Sequence, residues 1–317
     1  MKNIYVLGGA TVDIMARSEK SIIAGDSNPG QVRYSFGGVA HNIASNLALY
    51  GCRVNFITAL SEDGFGRQIL ESCQEMGLNM EYCQLFSDRG SAVYVAVVDP
   101  EGEMNVAVAD MDLLSHLDTE KLIPVFEKVQ KDDIVVVDTN FTCRQIASLI
   151  ANITGKIYAD PISTSKAVKI RPFLDRLEFL KPNLMEAEVI SGMKVEGEND
   201  YYPLLKWFID RGVKTIAISM ASSGVIASDG NSYLHIGNIP SEIVNTTGAG
   251  DAFMAGYIYG RYNDEDFENC IRYALAGASL AMESYHTVNP LLDPRKLRER
   301  YDRVCREAER ELLKERL

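Results

Sequence analysis

The sequence predicts an α/β protein: a central, mostly parallel sheet flanked by helices, with a small separate β-sheet serving as a lid. Three observations point there. Short β-branched runs recur along the 317 residues, and each is followed by a helical pattern. Two stretches in the N-terminal third interrupt that rhythm with alternating strands and turn residues. With 46% hydrophobic and 24% charged residues, and no polar or repetitive tract, the chain has a globular composition. At this length it can bury roughly three quarters of its unfolded surface, so one domain over residues 1–317 is expected.

The opening MKNIYVLGGATVDI runs straight into a strand. Two interruptions, QVRYSF (Gln31–Phe36) and the pair SAVYVAVV and EMNVAVAD joined by DPEG (Ser91–Asp110), read as antiparallel strands and a hairpin. They are interleaved with βα units, so they should form a discontinuous lid built from about 14–36 and 91–110. HNIASNLALY and GRQILESCQEM read as helices stopped by Gly51 and Gly77. Val54–Leu60, Ile134–Asp138, Lys156–Asp160, Phe179–Lys181 and Thr215–Ser219 supply the parallel strands. A second hairpin spans Gly224–Ile236. Near the C-terminus, Leu297, Tyr301, Val304, Ala308 and Leu312 make one helical stripe, expected to pack on the body.

With 32 basic against 44 acidic residues the formal charge is −12, so no general attraction to nucleic acid or anionic lipid is expected. The N-terminus shows no cleavage pattern and no apolar run reaches membrane-spanning length, which sets a cytoplasmic expectation. Six cysteines (Cys52, Cys73, Cys83, Cys143, Cys270, Cys305) and four histidines (His41, His116, His235, His286) lie scattered. Their spacing draws neither a zinc site nor a Ser/His/Asp triad.

The chemistry concentrates in NTTGAGDAF (Asn245–Phe253), where a helical pattern begins. Gly248, Ala249 and Gly250 then sit at a helix N-terminus, where backbone N–H groups lack partners and the dipole favours an anion. Asp251 stands directly behind. A carboxylate beside a phosphate is repelled unless it accepts a proton from an attacking hydroxyl, which is what phosphoryl transfer needs. A purely structural reading exists as well: a tight turn, with an Asp that stabilises the helix by about 0.3–1 kcal/mol. No GxxxxGK[ST], no GxGxxG after the first strand and no HRD or DFG is present, so a P-loop is excluded.

Taken in order, GGVAHNIASNLALYG (Gly37–Gly51), SEDGFG (Ser61–Gly66), KPNLMEAE (Lys181–Glu188) and NTTGAGDAFMAG (Asn245–Gly256), with Asp13 after the first strand, resemble the ribokinase-like (PfkB) sugar kinase family over nearly the whole chain. The resemblance implies a ribokinase-like fold and an ATP- and Mg²⁺-dependent kinase. It implies Asp251 as general base, Gly248, Ala249 and Gly250 as anion hole, and Asp13, Gly38 and Asn42 on the ribose hydroxyls. It places Asn183 and Glu186 near the triphosphate, with Glu186 reaching Mg²⁺ through water. Ser219 and Gly224 match the nucleotide-binding edge, and Lys166 a contact to phosphate or base. As purely structural readings, Asn183 and Glu186 cap a helix after Pro182, and Lys166 is a solvated surface lysine.

Within the family, DSNPGQ (Asp26–Gln31), ADMD (Ala109–Asp112), DPISTSK (Asp160–Lys166) and TVNP (Thr287–Pro290) are similar to the pseudouridine kinases. That likeness implies transfer to the 5′-hydroxyl of a C-nucleoside, with base selection by Ser27, Asn28, Asp110 and Asn289. The alternative for these residues is turn chemistry. Other readings of the whole chain are a kinase for another nucleoside or ribose, or a catalytically silent nucleotide-binding sensor. Many relatives activated by a monovalent cation have Asp where this chain has Asn245; the change weakens an all-oxygen K⁺ site without abolishing it. A homodimer through the lid is a further expectation.

Overall fold

The computed structural model describes residues 2–239 and 242–314, with side chains as far as 307. The first half of the chain forms β1 (Ile4–Leu7), β2 (Thr11–Ser18), β3 (Gly30–Gly37), α1 (Val39–Leu49), β4 (Val54–Ile57), β5 (Ala59–Ser61), α2 (Gly64–Glu75), β6 (Gln84–Phe86), β7 (Val93–Val98), β8 (Met104–Asp110), α3 (Ile123–Phe126), β9 (Ile134–Asp138) and α4 (Cys143–Asn152). The second half adds β10 (Lys156–Asp160), α5 (Thr164–Ala167), β11 (Leu177–Leu180), α6 (Leu184–Ser191), α7 (Tyr201–Ile209), β12 (Thr215–Ser219), β13 (Val225–Ser228), β14 (Tyr233–Ile236), α8 (Ala249–Tyr262), α9 (Phe267–Met282) and α10 (Pro294–Lys314).

The large sheet runs β14, β13, β12, β11, β10, β9, β1, β4. It is parallel except where β12, β13 and β14 pair antiparallel at one edge. Strands β1 and β9 are buried at every residue because both faces are covered. Side chains alternate between two apolar layers: Ile4 and Val6 join Leu47, Phe179, Met254 and Ile271 on one face, while Tyr5 and Leu7 join Ile146, Leu149 and Phe208 on the other. Phe179 of β11 stacks on Tyr257 of α8 with ring centroids 3.7 Å apart, fixing that helix against the strand ends.

The second sheet runs β3, β2, β7, β8. It therefore contains the two expected interruptions and also β2, which begins at Thr11, ahead of the expected limit near 14. A further departure is Val54–Leu60, expected as one strand. The chain changes partners at Thr58, so β4 stays in the large sheet and β5 pairs with β6 in a third, two-stranded sheet. Gly51 and Gly77 end α1 and α2 with φ of +81° and +83°, as their stop positions require. On α10, Leu297, Tyr301 and Val304 are buried and Tyr301 stacks on Tyr273 of α9. The side chains of Ala308 and Leu312 lie outside the described residues. No described helix is long and apolar enough to cross a membrane.

Candidate active site

Parallel strands deliver side chains to one rim of the sheet, their carboxyl ends. Here β9 ends at Asp138, β10 ends at Asp160 and β11 runs into Lys181. Helix α8 starts over that rim. Gly248 is its N-cap, with φ +84°, and a Cβ there would collide with the Thr287 carbonyl oxygen. The Ala249 amide donates to Thr246 O at 3.3 Å. The amides of Gly250 and Asp251 meet no acceptor among the described residues, so two donors at the positive end of the helix remain open.

Asp251 is buried, and its Oδ2 accepts from Asn42 Nδ2 at 2.8 Å. Asn42 projects from the first turn of α1, whose N-cap Gly38 (φ +99°) lies so close to the Gly9 carbonyl oxygen that a side chain would collide. Burial, then the nearby Asp160 carboxylate, push the Asp251 carboxyl up to about 7; the Asn42 hydrogen bond and the Lys181 ammonium act against this. Lys181 Nζ pairs with Asp160 Oδ2 at 3.0 Å, with both side chains buried. It also stands 2.9 Å from where a Cβ on Gly250 would be, in space that exists because residue 250 has no side chain. Burial works against that ammonium, but Asp160, Asp251 and Glu186 outweigh it and hold its pKa above the ordinary lysine value. A cation, two open amides and a carboxylate therefore meet at one helix start.

Asp13 lies in β2, half-buried, accepting from Thr11 Oγ1 at 3.1 Å beside Gly37. Burial raises its pKa against that hydrogen bond. Asn183 and Glu186 form a reciprocal cap on α6: Glu186 N donates to Asn183 Oδ1 and Asn183 N donates to Glu186 Oε2, each at 2.9 Å. The structural reading of this pair thus holds, while Glu186 Oε1 carries no hydrogen bond among the described residues. Burial raises the Glu186 pKa. Ser219 bridges to Asn183, and its amide donates to Pro182 O at 3.1 Å. Gly224, at φ +84°, closes the following turn by accepting from Met220 N at 2.8 Å. Lys166 is half-buried and donates to Asn140 Oδ1 at 2.6 Å; Asn140 in turn donates to Asp138 Oδ2 at 3.0 Å, and Gly9 N donates to the same oxygen at 2.9 Å. Lys166 is therefore not a free surface lysine.

The remaining four predicted residues make local hydrogen bonds of their own. No hydrogen bond joins Ser27, Asn28, Asp110 or Asn289 to Asp13, Asn42 or Asp251. The Ser27 amide donates to Asp26 Oδ1 at 2.7 Å. Asn28 closes its own loop, accepting from Ile23 N at 2.8 Å and donating to Ile23 O and Asp26 O at 3.0 Å. Asp110 is exposed and accepts from Asp112 N at 3.4 Å. Asn289 donates to Leu280 O at 3.2 Å and accepts from Leu291 N at 3.1 Å. Asn245 also braces a turn, accepting from Thr247 N at 2.9 Å. Lys181, Asp160, Asp138 and Asn140 were missed from sequence. Their signal was positional, since each sits at or just beyond the carboxyl end of a parallel strand.

Comparison with known proteins bears on the family and the fold. The pfkB family carbohydrate kinase pattern matches residues 1–294. The chain is 32% identical to the pseudouridine kinase of Escherichia coli over 290 residues, 90% of this chain and 92% of that one. It is 23% identical to a guanosine-inosine kinase of Exiguobacterium acetylicum, covering 90% and 95%. Among solved structures, a carbohydrate kinase from Agrobacterium tumefaciens superposes with a TM-score of 0.82 at 25% identity, covering 95% and 97%. The ribokinase of Arabidopsis thaliana, complexed with ribose and ATP, gives 0.79 at 20% identity, covering 95% and 98%. The chain belongs to the pfkB family of carbohydrate kinases, with a ribokinase-like fold and phosphotransferase activity toward a hydroxyl acceptor.

Proposed function

We propose that this kinase transfers the γ-phosphoryl group of ATP to the 5′-hydroxyl of pseudouridine. The observation that carries the chemistry is the meeting of the Asp251 carboxylate, the open amides of Gly250 and Asp251, and the Lys181 ammonium at the start of α8. Asp251 takes the hydroxyl proton as the oxygen attacks. The amides and Lys181 meet the charge on the transferred group, with Gly248, Ala249 and Gly250 keeping side chains out of the way. Asp13, Gly38 and Asn42 hold the ribose hydroxyls, Asn42 also orienting Asp251.

The residues fit ATP with Mg²⁺. Glu186 Oε1 makes no hydrogen bond among the described residues, and no group of three or more acidic, His or Cys side chains capable of holding a metal occurs among them. Mg²⁺ bound through phosphates and water suits that arrangement, and it would neutralise charge between the β- and γ-phosphates. Asn183, Ser219 and Gly224 line the nucleotide edge, and Lys166, held by Asn140, contacts phosphate or base.

The acceptor assignment rests on the 32% identity to a pseudouridine kinase together with the DSNPGQ and TVNP segments. A C-linked uracil exposes an extra ring N–H, which a placed acceptor can select. Ser27, in the β2–β3 loop, and Asp110, at the end of β8, supply polar groups at the small sheet, which closes over the sugar as a lid. Asn28 and Asn289 act through the loops their amides hold. A panel of nucleosides and sugars compared by kcat/KM tests this: pseudouridine should lead, and a lead by ribose or adenosine overturns the acceptor assignment.

The lid sheet also supports a homodimer. On the face opposite Asp13, Val32, Val106 and Val108 are 70%, 54% and 66% exposed and lie in adjacent strand rows with Ile14, Ala16, Val95 and Val97. An apolar sheet face of this extent is covered by a second copy. Sedimentation should show a dimer that Val108→Lys dissociates; an unaltered monomer contradicts it.

A further inference from the structure

The carboxyl end of β9 carries a buried charge that the transfer chemistry leaves unused. Asp138 is fully buried, and its two oxygens take three N–H donors: Gly9 N and Asn140 Nδ2 on Oδ2 at 2.9 and 3.0 Å, and Asn140 N on Oδ1 at 2.9 Å. A protonated carboxyl would need an acceptor, and all three partners are donors, so the group sits as a carboxylate. Burial pushes its pKa up, while those donors and the Lys166 ammonium pull it down.

Asn140 stands between two charges. Its Nδ2 faces the Asp138 carboxylate and its Oδ1 accepts from Lys166 Nζ at 2.6 Å, the one orientation of the amide that sets a donor against an acceptor on both sides. Lys169 holds the peptide groups around it, donating to Thr139 O at 3.0 Å and Phe141 O at 2.9 Å. The second arm of Asp138 runs the other way. Gly9, whose amide it holds, accepts from His41 N at 3.3 Å in the first turn of α1, the turn that carries Asn42 and, through it, Asp251. The same contacts keep side chains out of the β1–β2 turn: a Cβ on Gly8 would lie 2.1 Å from Asp138 Oδ2, and one on Gly9 2.9 Å from Asn140 Nδ2.

We propose that Asp138 and Asn140 are positioning residues for the acceptor: with Lys166 they form an amide-bridged ion pair that fixes the Lys166 ammonium and the Gly8–Gly9 turn as one unit. A carboxylate in direct contact would neutralise the ammonium; a neutral amide between them fixes its place and leaves its charge to act on a ligand. The Lys166 side chain is half-buried and makes this one hydrogen bond among the described residues, so two of its three N–H donors stay open. Asn140 shares a small cleft with Gly9, Ala10 and Thr11, ahead of Asp13 on β2, which puts the unit on the acceptor side. The inference rests on the acceptor site proposed for this kinase and names the residues that position one of its charges.

A double-mutant cycle between Asn140→Ala and Lys166→Met, read by steady-state kinetics with whichever acceptor leads the panel, tests the assignment. Each single variant should raise the acceptor KM and lower kcat/KM by about tenfold, the loss of one charge-assisted hydrogen bond. The double variant should lose no more than either alone. KM for ATP should stay within about twofold in all three. Asp138→Asn should match them, because an amide there turns an N–H toward Gly9 N or Asn140 and dislodges Lys166; if it does not fold, the Asn140 and Lys166 cycle decides. Additive losses overturn the proposal, as do unchanged acceptor kinetics in either single variant or a loss confined to the KM for ATP. Asp251→Asn reports on the transfer site separately: kcat lost there, with additive losses in the cycle, leaves the transfer reading standing and removes this one.

Discussion

The start of α8 and the small β-sheet treat polar groups in opposite ways. At the helix start Asp251, Asn42, Lys181 and Asp160 are buried and bonded to residues 21 and 209 positions away in sequence. In the small sheet and its loop, Ser27 and Asp110 are exposed and Asn28 is half-buried, and the hydrogen bonds they make lie within five residues in sequence. The first arrangement is fixed by the packing of strands and helices; the second is local turn chemistry that would survive in a detached loop. On the proposed function, the transfer chemistry rests on groups preset by the core, and selection of the acceptor on groups of the small sheet and its loop.

Breaking the core arrangement should have the largest effects. Asp251→Asn removes the base, so kcat should fall by roughly 10²–10⁴-fold. Nucleotide affinity, read by calorimetry, should stay within about threefold, under 1 kcal/mol. Lys181→Met leaves Asp160 buried without its cation and should lower stability by about 3–5 kcal/mol in denaturant melts. In the same variant Asp251 loses an attraction that holds its pKa down, so the acid limb of kcat/KM should move to higher pH. Adding Asp160→Asn should return much of the lost stability, because the unpaired charge is gone.

In the lid and its neighbouring loops the expected effects shrink. Asn289→Ala should cost about 1 kcal/mol, since it releases Leu280 O and Leu291 N. With Asn28→Ala it should also erode the preference for pseudouridine over uridine by about tenfold; an unchanged preference contradicts the role given to those loops. Ser27→Ala should leave stability within about 0.5 kcal/mol, so any change it makes in kcat/KM reads acceptor contact alone.

The sequence was most informative where local rules decide. Strand periodicity, the glycine stops and the GAGD turn all lie within a few residues, and the structure places them as expected. Lys181 and Asp160 escaped notice because they lie 21 residues apart and meet only through the parallel pairing of β10 with β11. The switch of partner at Thr58 was hidden for a similar reason: a continuous apolar run carries no mark of which sheet each half joins. Asn289 shows how one residue can serve two readings: its position in TVNP suggests a base contact, and the turn engages its amide nitrogen at Leu280 O and its amide oxygen at Leu291 N.

The central claim is that Asp251 must be ionised for transfer, in a setting where burial and Asp160 push its pKa up to about 7. Its carboxylate form accepts the proton, so activity should be lost as pH falls through that value. The pH dependence of kcat/KM for pseudouridine, a property of the free enzyme and free acceptor, reads this directly. An acid limb with an apparent pKa of about 7 is expected, moving upward in Lys181→Met. A profile that stays flat down to the ordinary carboxylate range of about 4 would contradict it.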